Sequence, residues 1–321
     1  MGHGLELLRR MIYYRAVEET IAGRYAEQEI RCPTHLSIGQ EGPAAAAGMV
    51  LRTTDYAVST HRGHAHYLAK GGNLDAMIAE LYGKVTGCAR GRGGSMHLVD
   101  TSVGFMGTTA IVGNSIPIGV GLGLAARLDG GDAVSCVFLG DAATETGAFY
   151  EAANFAATRR LPVLFLCENN LYSVYSPLPV RQPQGRRLFE MARGIGLEAM
   201  HGDGNDPEAA LALVTEAVSG LRAGGKPCFV ELDTYRWREH CGPNYDNHIG
   251  YRTEAEFLAW KERDPIAALS RTLLAAGALT GAALETIREE IGAMVSRAFE
   301  RARSAAFPAE AEAFADEYAP T

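Results

Sequence analysis

Cysteine is sparse and unpaired in this sequence: Cys32, Cys88, Cys136, Cys167, Cys228 and Cys241 form no CxxC pair. The first 25 residues lack the basic-then-apolar layout of a secretory signal, so reduced thiols in the cytoplasm are expected. Basic residues are also in short supply. Thirty Lys and Arg against 38 Asp and Glu leave a net charge of -8, and no dense Lys/Arg run exists, which argues against nucleic acid as a partner. Long apolar runs are missing as well. The best stretch, Ile111 to Leu128, is broken by Asn114, Ser115, Pro117 and several glycines, so it reads as buried in protein rather than in a membrane.

What is present is the composition of an ordinary folded domain, 47% hydrophobic and 21% charged over 321 residues, enough for one large α/β unit spanning residues 1–321. Leu8, Met11, Ile12, Val17, Ile21 and Tyr25 recur at helical spacing, which predicts an amphipathic helix from Leu5 to about Gln28 that packs without carrying chemistry. Residues 31–97 are dense in histidine and glycine and read as loops. The pattern then becomes regular: Ala133 to Leu139 reads as a strand, Gly147 to Thr158 as a helix and Pro162 to Glu168 as a strand, a βαβ unit with a right-handed crossover. Asp206 starts another helix and Cys228 to Thr234 another buried strand. The alternation predicts a doubly wound, mostly parallel α/β sheet flanked by helices. From about residue 254 the pattern is helical, with a restart at Asp264-Pro265 and a long helix over Leu284 to Arg303. The acidic, alanine-rich tail from Ala305 is expected on the surface or against a partner.

Two strand ends carry groups suited to a metal: Gly140-Asp141 follows the first strand and Asn169-Asn170 the second. Open parallel sheets bind ligands at the carboxyl ends of their strands, so both pairs point into one crevice. Carboxylate and amide oxygens are hard ligands, and magnesium is typically held by a few of them together with phosphate oxygens. A magnesium-bridged diphosphate follows.

The stretch GDAATETGAFYEAANFAATRRLPVLFLCENNLYSV resembles the thiamin diphosphate motif, which opens on Gly-Asp-Gly and closes on Asn-Asn about thirty residues later; here Asp141 and Asn170 are 29 residues apart. Glu151 and Asn154 match the Glu-x-x-Asn of its intervening helix. The segments HLSIGQEG at His35, STHRGHAHYLAKGG at Ser59, GRGGSMH at Gly91, AIVGNSIPIGVG at Ala110 and DTYRWREHCG at Asp233 are similar, in order, to the alpha subunits of pyruvate, branched-chain 2-oxo acid and acetoin dehydrogenase complexes. The RGHAHYLAKG segment looks closest to acetoin dehydrogenase.

The resemblance implies a thiamin diphosphate-binding fold and magnesium held by the side chains of Asp141 and Asn170 and the carbonyl of Tyr172. It places His61 and Arg62 at the diphosphate, a role that an arginine fork also fits on its own chemistry. Ala110, Ala142 and Ala143 fall among the cofactor-contacting positions, and Val112 where a bulky side chain wedges the cofactor into its bent form. His35, His64 and His240 align with positions around the substrate carboxylate and reacting carbonyl, where imidazole binds charge or relays a proton. The activity implied is cleavage of the carbon-carbon bond beside the carbonyl of a 2-oxo acid or acetoin, with transfer of the acyl or aldehyde unit, to lipoamide in the family. No candidate appears here for the family's activating glutamate, so a beta subunit is expected to complete the site in an α2β2 heterotetramer, with a lipoyl acyltransferase as a further partner.

Two departures stand out. Ala142 replaces the second glycine of the motif, where glycine is favoured if backbone approaches phosphate or takes positive φ. The segment REHCGPNYDNHIGYR replaces the family loop that shapes substrate access, which leaves substrate and acceptor open, a biosynthetic carboligation included. A rival class, a nicotinamide dehydrogenase, rests on Gly121 to Ala126, which fits a GxGxxA fingerprint with Asp141 20 residues on. A non-catalytic subunit that keeps only the fold is a further alternative.

Overall fold

Strand side chains alternate between faces with period two, and in the central strands both faces are apolar. In β3 (Ser135–Gly140), Cys136 and Phe138 enter one core and Val137 and Leu139 the other. In β4 (Val163–Asn169), Leu164 and Leu166 enter the first core and Val163, Phe165 and Cys167 the second. Such doubly covered strands are what a parallel sheet requires. The computed structural model describes residues 2–314. Its main sheet is parallel throughout, with β1 (Tyr56–Ser59), β2 (Phe105–Thr108), β7 (Glu198–Asp203) and β8 (Cys228–Asp233) completing the order β2-β1-β3-β4-β8-β7. Strands β5 (Tyr172–Ser173) and β6 (Ser176–Pro177) form a small antiparallel hairpin just after β4.

The first core is covered by α1 (Gly2–Arg24), α2 (Glu41–Val50), α3 (His64–Ala69), α4 (Leu74–Leu81), α9 (Pro207–Arg222) and α10 (Glu254–Lys261). The late helices α11 (Pro265–Ala275) and α12 (Gly281–Ser304) pack on α1, and α12 also on α4. The second core is covered by α5 (Ser115–Leu128), α6 (Gly147–Arg159) and α8 (Leu188–Ile195), and α7 (Leu178–Arg181) follows the hairpin. Side chains mark the helix starts: Thr146 caps α6, Asp206 α9, Asp264 α11 and Thr280 α12.

The α/β architecture and the helical C-terminal part agree with the sequence reading. Residues 31–97 do not: instead of loops they hold α2, β1, α3 and α4. Helix α2 shows no amphipathic stripe because Glu41 through Ala47 are all buried, and β1 is only four residues long. Strand β7, at the sheet edge and only partly buried, also escaped the pattern. The tail expectation falls partly on residues 315–321, outside the described residues.

Helix α5 needs its glycines for contact with the sheet. A Cβ on Gly119 would lie 2.3 Å from Val137 Cγ2, and one on Gly123 2.4 Å from Val163 Cγ2, whereas one on Gly121 would meet nothing within 4 Å. The GxGxxA match therefore lies inside a helix, and the strand-to-helix turn that a dinucleotide fingerprint requires is absent there. Among the described residues no helix is long and apolar enough to cross a membrane.

Candidate active site

The carboxyl ends of β1, β3 and β4 open into one cleft of about 880 Å³, counting its open mouth. Eleven of the twelve residues expected at the site line it. His61 and Arg62 follow β1, Ala110 and Val112 follow β2, Asp141 to Ala143 follow β3, and Asn170 and Tyr172 follow β4. His35 comes from the segment before α2 and His240 from the loop after β8. The exception is His64, fully buried at the start of α3, where Nδ1 lies 3.1 Å from Glu18 and Nε2 2.7 Å from Ser95 Oγ. Helix α1 thus contributes more than packing, since Glu18 also accepts from the Ser37 amide.

Asp141 opens the turn Asp141–Glu145 and is 1% exposed. Burial pushes its carboxyl above the usual carboxylate range, while Arg181 of α7, which bridges Asp141 and Glu145, opposes the shift. A buried carboxylate that draws a cation, in one cleft with an amide oxygen, is a donor pair that fits magnesium. Ala142 does not need the glycine it replaces for conformational reasons, because the positive-φ residues do not include it. Such strain lies further on, at Leu171 (φ 72°) and Val174 (φ 53°), where the chain bends around Tyr172; for β-branched Val174 this backbone is rare.

The cleft floor is a hydrogen-bonded chain. Glu168 lies 2.8 Å from His66 Nε2 and accepts from Gln40 Nε2 at 3.0 Å, and His66 Nδ1 lies 2.7 Å from Ser59 Oγ. Gln40 must then turn its oxygen toward Asn170, whose Nδ2 donates to it at 3.1 Å. The Asn170 oxygen is thereby aimed away from Gln40, where it accepts from the Tyr172 amide at 3.2 Å and keeps a lone pair for a ligand. His66 stacks on Phe138 with ring centroids 4.0 Å apart. Gln40, His66 and Glu168 were not among the residues the sequence nominated, although all three lie inside or next to the segments that carried the resemblance.

Three histidines form the opposite wall. His35 packs edge-on against His61 and His240, with centroids 4.5 and 5.0 Å away. Burial first, then the Arg62 charge, lowers His35 to about 2 and His61 and His240 each to about 3, so all three are neutral at physiological pH. Among the described residues, Arg62 is the only lysine or arginine lining the cleft. Its guanidinium donates to the carbonyls of Leu36 at 2.8 Å and His240 at 3.1 Å, and although burial and Arg236 lower it to about 9, it keeps its charge.

The unusual loop after β8 is tied down internally. Asp246 pairs with Arg252 and accepts from Tyr251 Oη at 2.7 Å, while Arg252 donates to the carbonyls of Arg236 at 2.6 Å and Trp237 at 3.0 Å. Arg236 in turn reaches the Val174 carbonyl at 3.1 Å, linking this loop to the bend after β4.

The family model described as "Dehydrogenase E1 component" matches residues 9–310. The chain belongs to that family. The pyruvate dehydrogenase E1 component subunit alpha of Rickettsia bellii is 34% identical over 314 residues, 98% of this chain and 95% of that protein. The corresponding subunit of Zymomonas mobilis is 35% identical over 97% of this chain and 87% of its own length. The chloroplastic alpha-3 subunit of Arabidopsis thaliana is 34% identical over 96% and 73%. The resemblance to alpha subunits of thiamin diphosphate-dependent 2-oxo acid dehydrogenases is thereby borne out, and the nicotinamide reading falls. None of these three relatives supports the leaning toward acetoin.

Proposed function

We propose that this E1 alpha chain holds the magnesium-diphosphate half of the cofactor and cleaves the bond beside the carbonyl of a 2-oxo acid, passing the acyl unit to a lipoyl group. The observation that carries the reading is the meeting of Asp141 and Asn170, from neighbouring strands, in one cleft with His61 and Arg62. Pyruvate is the first substrate to test, because the relatives are named for it. When bound, the cofactor supplies the electron sink for carbon-carbon cleavage.

The chain's own residues then divide the work. Asp141, Asn170 and the Tyr172 carbonyl hold magnesium; Arg62 and His61 face the diphosphate; Ala110, Val112, Ala142 and Ala143 shape the walls around the cofactor. His35 and His240 meet the substrate as neutral donors and acceptors, leaving Arg62 as the cation of the cleft. His64, two residues beyond Arg62 and clamped between Glu18 and Ser95, holds the His61-Arg62 turn in place.

Ile111 and Val112, 66% and 51% exposed at the mouth, and Ile118 on the outer face of α5 form an apolar rim that suits a beta subunit. We place the chain in a cytoplasmic α2β2 assembly that serves a lipoyl acyltransferase, with residues 1–321 as one domain and the part from about 254 as its helical extension. The test is to purify the chain with its beta partner and assay pyruvate, branched-chain 2-oxo acids and acetoin, each with a lipoyl acceptor and with an artificial oxidant. Turnover of a 2-oxo acid that Asp141→Ala abolishes supports the reading; turnover that survives Asp141→Ala overturns it.

A further inference from the structure

We propose that His35, His61 and His240 form a binding site for a borderline divalent cation of the zinc class, and that its occupation blocks the cleft to substrate. Only the second half of this proposal rests on the functional reading above. The cation site itself stands on the three rings.

One ligand nitrogen from each ring lies within 4.8 Å of the other two. The rings arrive from three separate segments, so the cluster is a product of the fold rather than of local spacing. A tetrahedral zinc ion with bonds of about 2.0–2.1 Å holds its nitrogens roughly 3.4 Å apart, a separation that modest ring rotations reach. A second observation points to a missing partner: His35 is 7% exposed, and its Nδ1 is buried without a hydrogen-bond partner. Because burial keeps the rings uncharged, each offers a lone pair without first shedding a proton.

The ligand chemistry separates this site from the oxygen site across the cleft. Imidazole favours zinc, copper and nickel, whereas carboxylate and carbonyl oxygens favour magnesium, so the two walls select different ions. Three protein ligands leave a fourth position facing the cavity, where water or a carboxylate sits in open zinc sites. Arg62 works against a dication here, since one guanidinium nitrogen is 3.4 Å from His240 Nδ1. Glu18 and Glu168 act on Arg62 as counter-charges and offset part of that repulsion. The other histidine cluster, His201 with Glu231 and Asp233, is a poorer candidate, because Glu231 already accepts from Asn169 Nδ2 and from the Phe189 amide.

Equilibrium dialysis of the full chain against zinc in excess magnesium tests the site, with cobalt absorption as a check on four-coordinate nitrogen ligation. The expected result is one tight zinc per chain, weakened at least tenfold by His35→Ala and by His240→Ala and unchanged by His201→Ala. His35→Asn and His240→Gln repeat the test if alanine disturbs packing. Asp141→Ala is expected to lose magnesium-dependent thiamin diphosphate binding yet retain zinc, so the two readings fail separately. No tight site in the wild type, or a tight site that survives both histidine substitutions, overturns the proposal. In the assembled enzyme, zinc is expected to inhibit competitively with the 2-oxo acid and a chelator to restore activity; full turnover with the site filled overturns the blocking role.

Discussion

The floor and the rim of the cleft are built on opposite terms. The floor is closed by its own chain: Ser59, His66, Glu168 and Gln40 satisfy one another and orient Asn170, and all four are buried. The rim leaves Ile111, Val112 and Ile118 half or more exposed among the described residues. A monomer that finishes one half of a site and leaves the other apolar and open is organised for a partner, because buried polar networks tolerate no missing member whereas apolar surface waits for a second surface.

Breaking the cleft at its proposed magnesium end has the largest expected effect. Asp141→Ala removes the proposed charged ligand, and magnesium-dependent thiamin diphosphate binding in the assembled enzyme, followed by calorimetry, is expected to fall below detection. Breaking it one step back is milder. Gln40→Leu strands the Asn170 amide, and magnesium affinity is expected to drop about tenfold, the equivalent of about 1.4 kcal/mol, while thermal unfolding shows a folded protein. Unchanged magnesium affinity would mean that the chain of hydrogen bonds supports the fold alone.

On the rim, Ile118→Asp puts a charge on the outer face of α5 and is expected to weaken association with the beta subunit about tenfold or more in sedimentation, without lowering the stability of the isolated chain. Loss of stability instead would show that this face serves the chain's own packing.

The histidine wall sharpens the comparison through pH. His35, His61 and His240 are held at about 2, 3 and 3 in the folded chain, against about 6.5 when unfolded. Below that ordinary value the unfolded state binds protons that the folded state does not, so the stability contributed above pH 6.5 is lost as pH falls toward 3. Denaturant midpoints at pH 7 and pH 5 are expected to differ more for the wild type than for the His35→Gln, His240→Gln double variant. The smallest expected effect is that of Ala142→Gly, which leaves cofactor affinity equal or tighter because residue 142 takes no positive φ.

Much of the site was legible because its signals are local: Gly140-Asp141, Asn169-Asn170 and the histidine segments each sit at the end of one strand or in one short loop. The floor was not. Gln40 and Glu168 are 128 residues apart, and His66 and Glu168 are 102 apart; nothing in either segment announces the other, and the polarity that aims Asn170 exists only once they meet. Helix α2 hid for a related reason, since burial on every side erases the stripe that marks a helix. Arg181, which covers Asp141, comes from a short helix with no periodic signal at all.

The most direct test of the half-site account is 2-oxo acid decarboxylation by the full chain alone and by the chain purified with its beta subunit, at equal alpha concentration and saturating magnesium and thiamin diphosphate. The account predicts turnover from the pair and none above background from the chain alone; full activity from the isolated chain would contradict it.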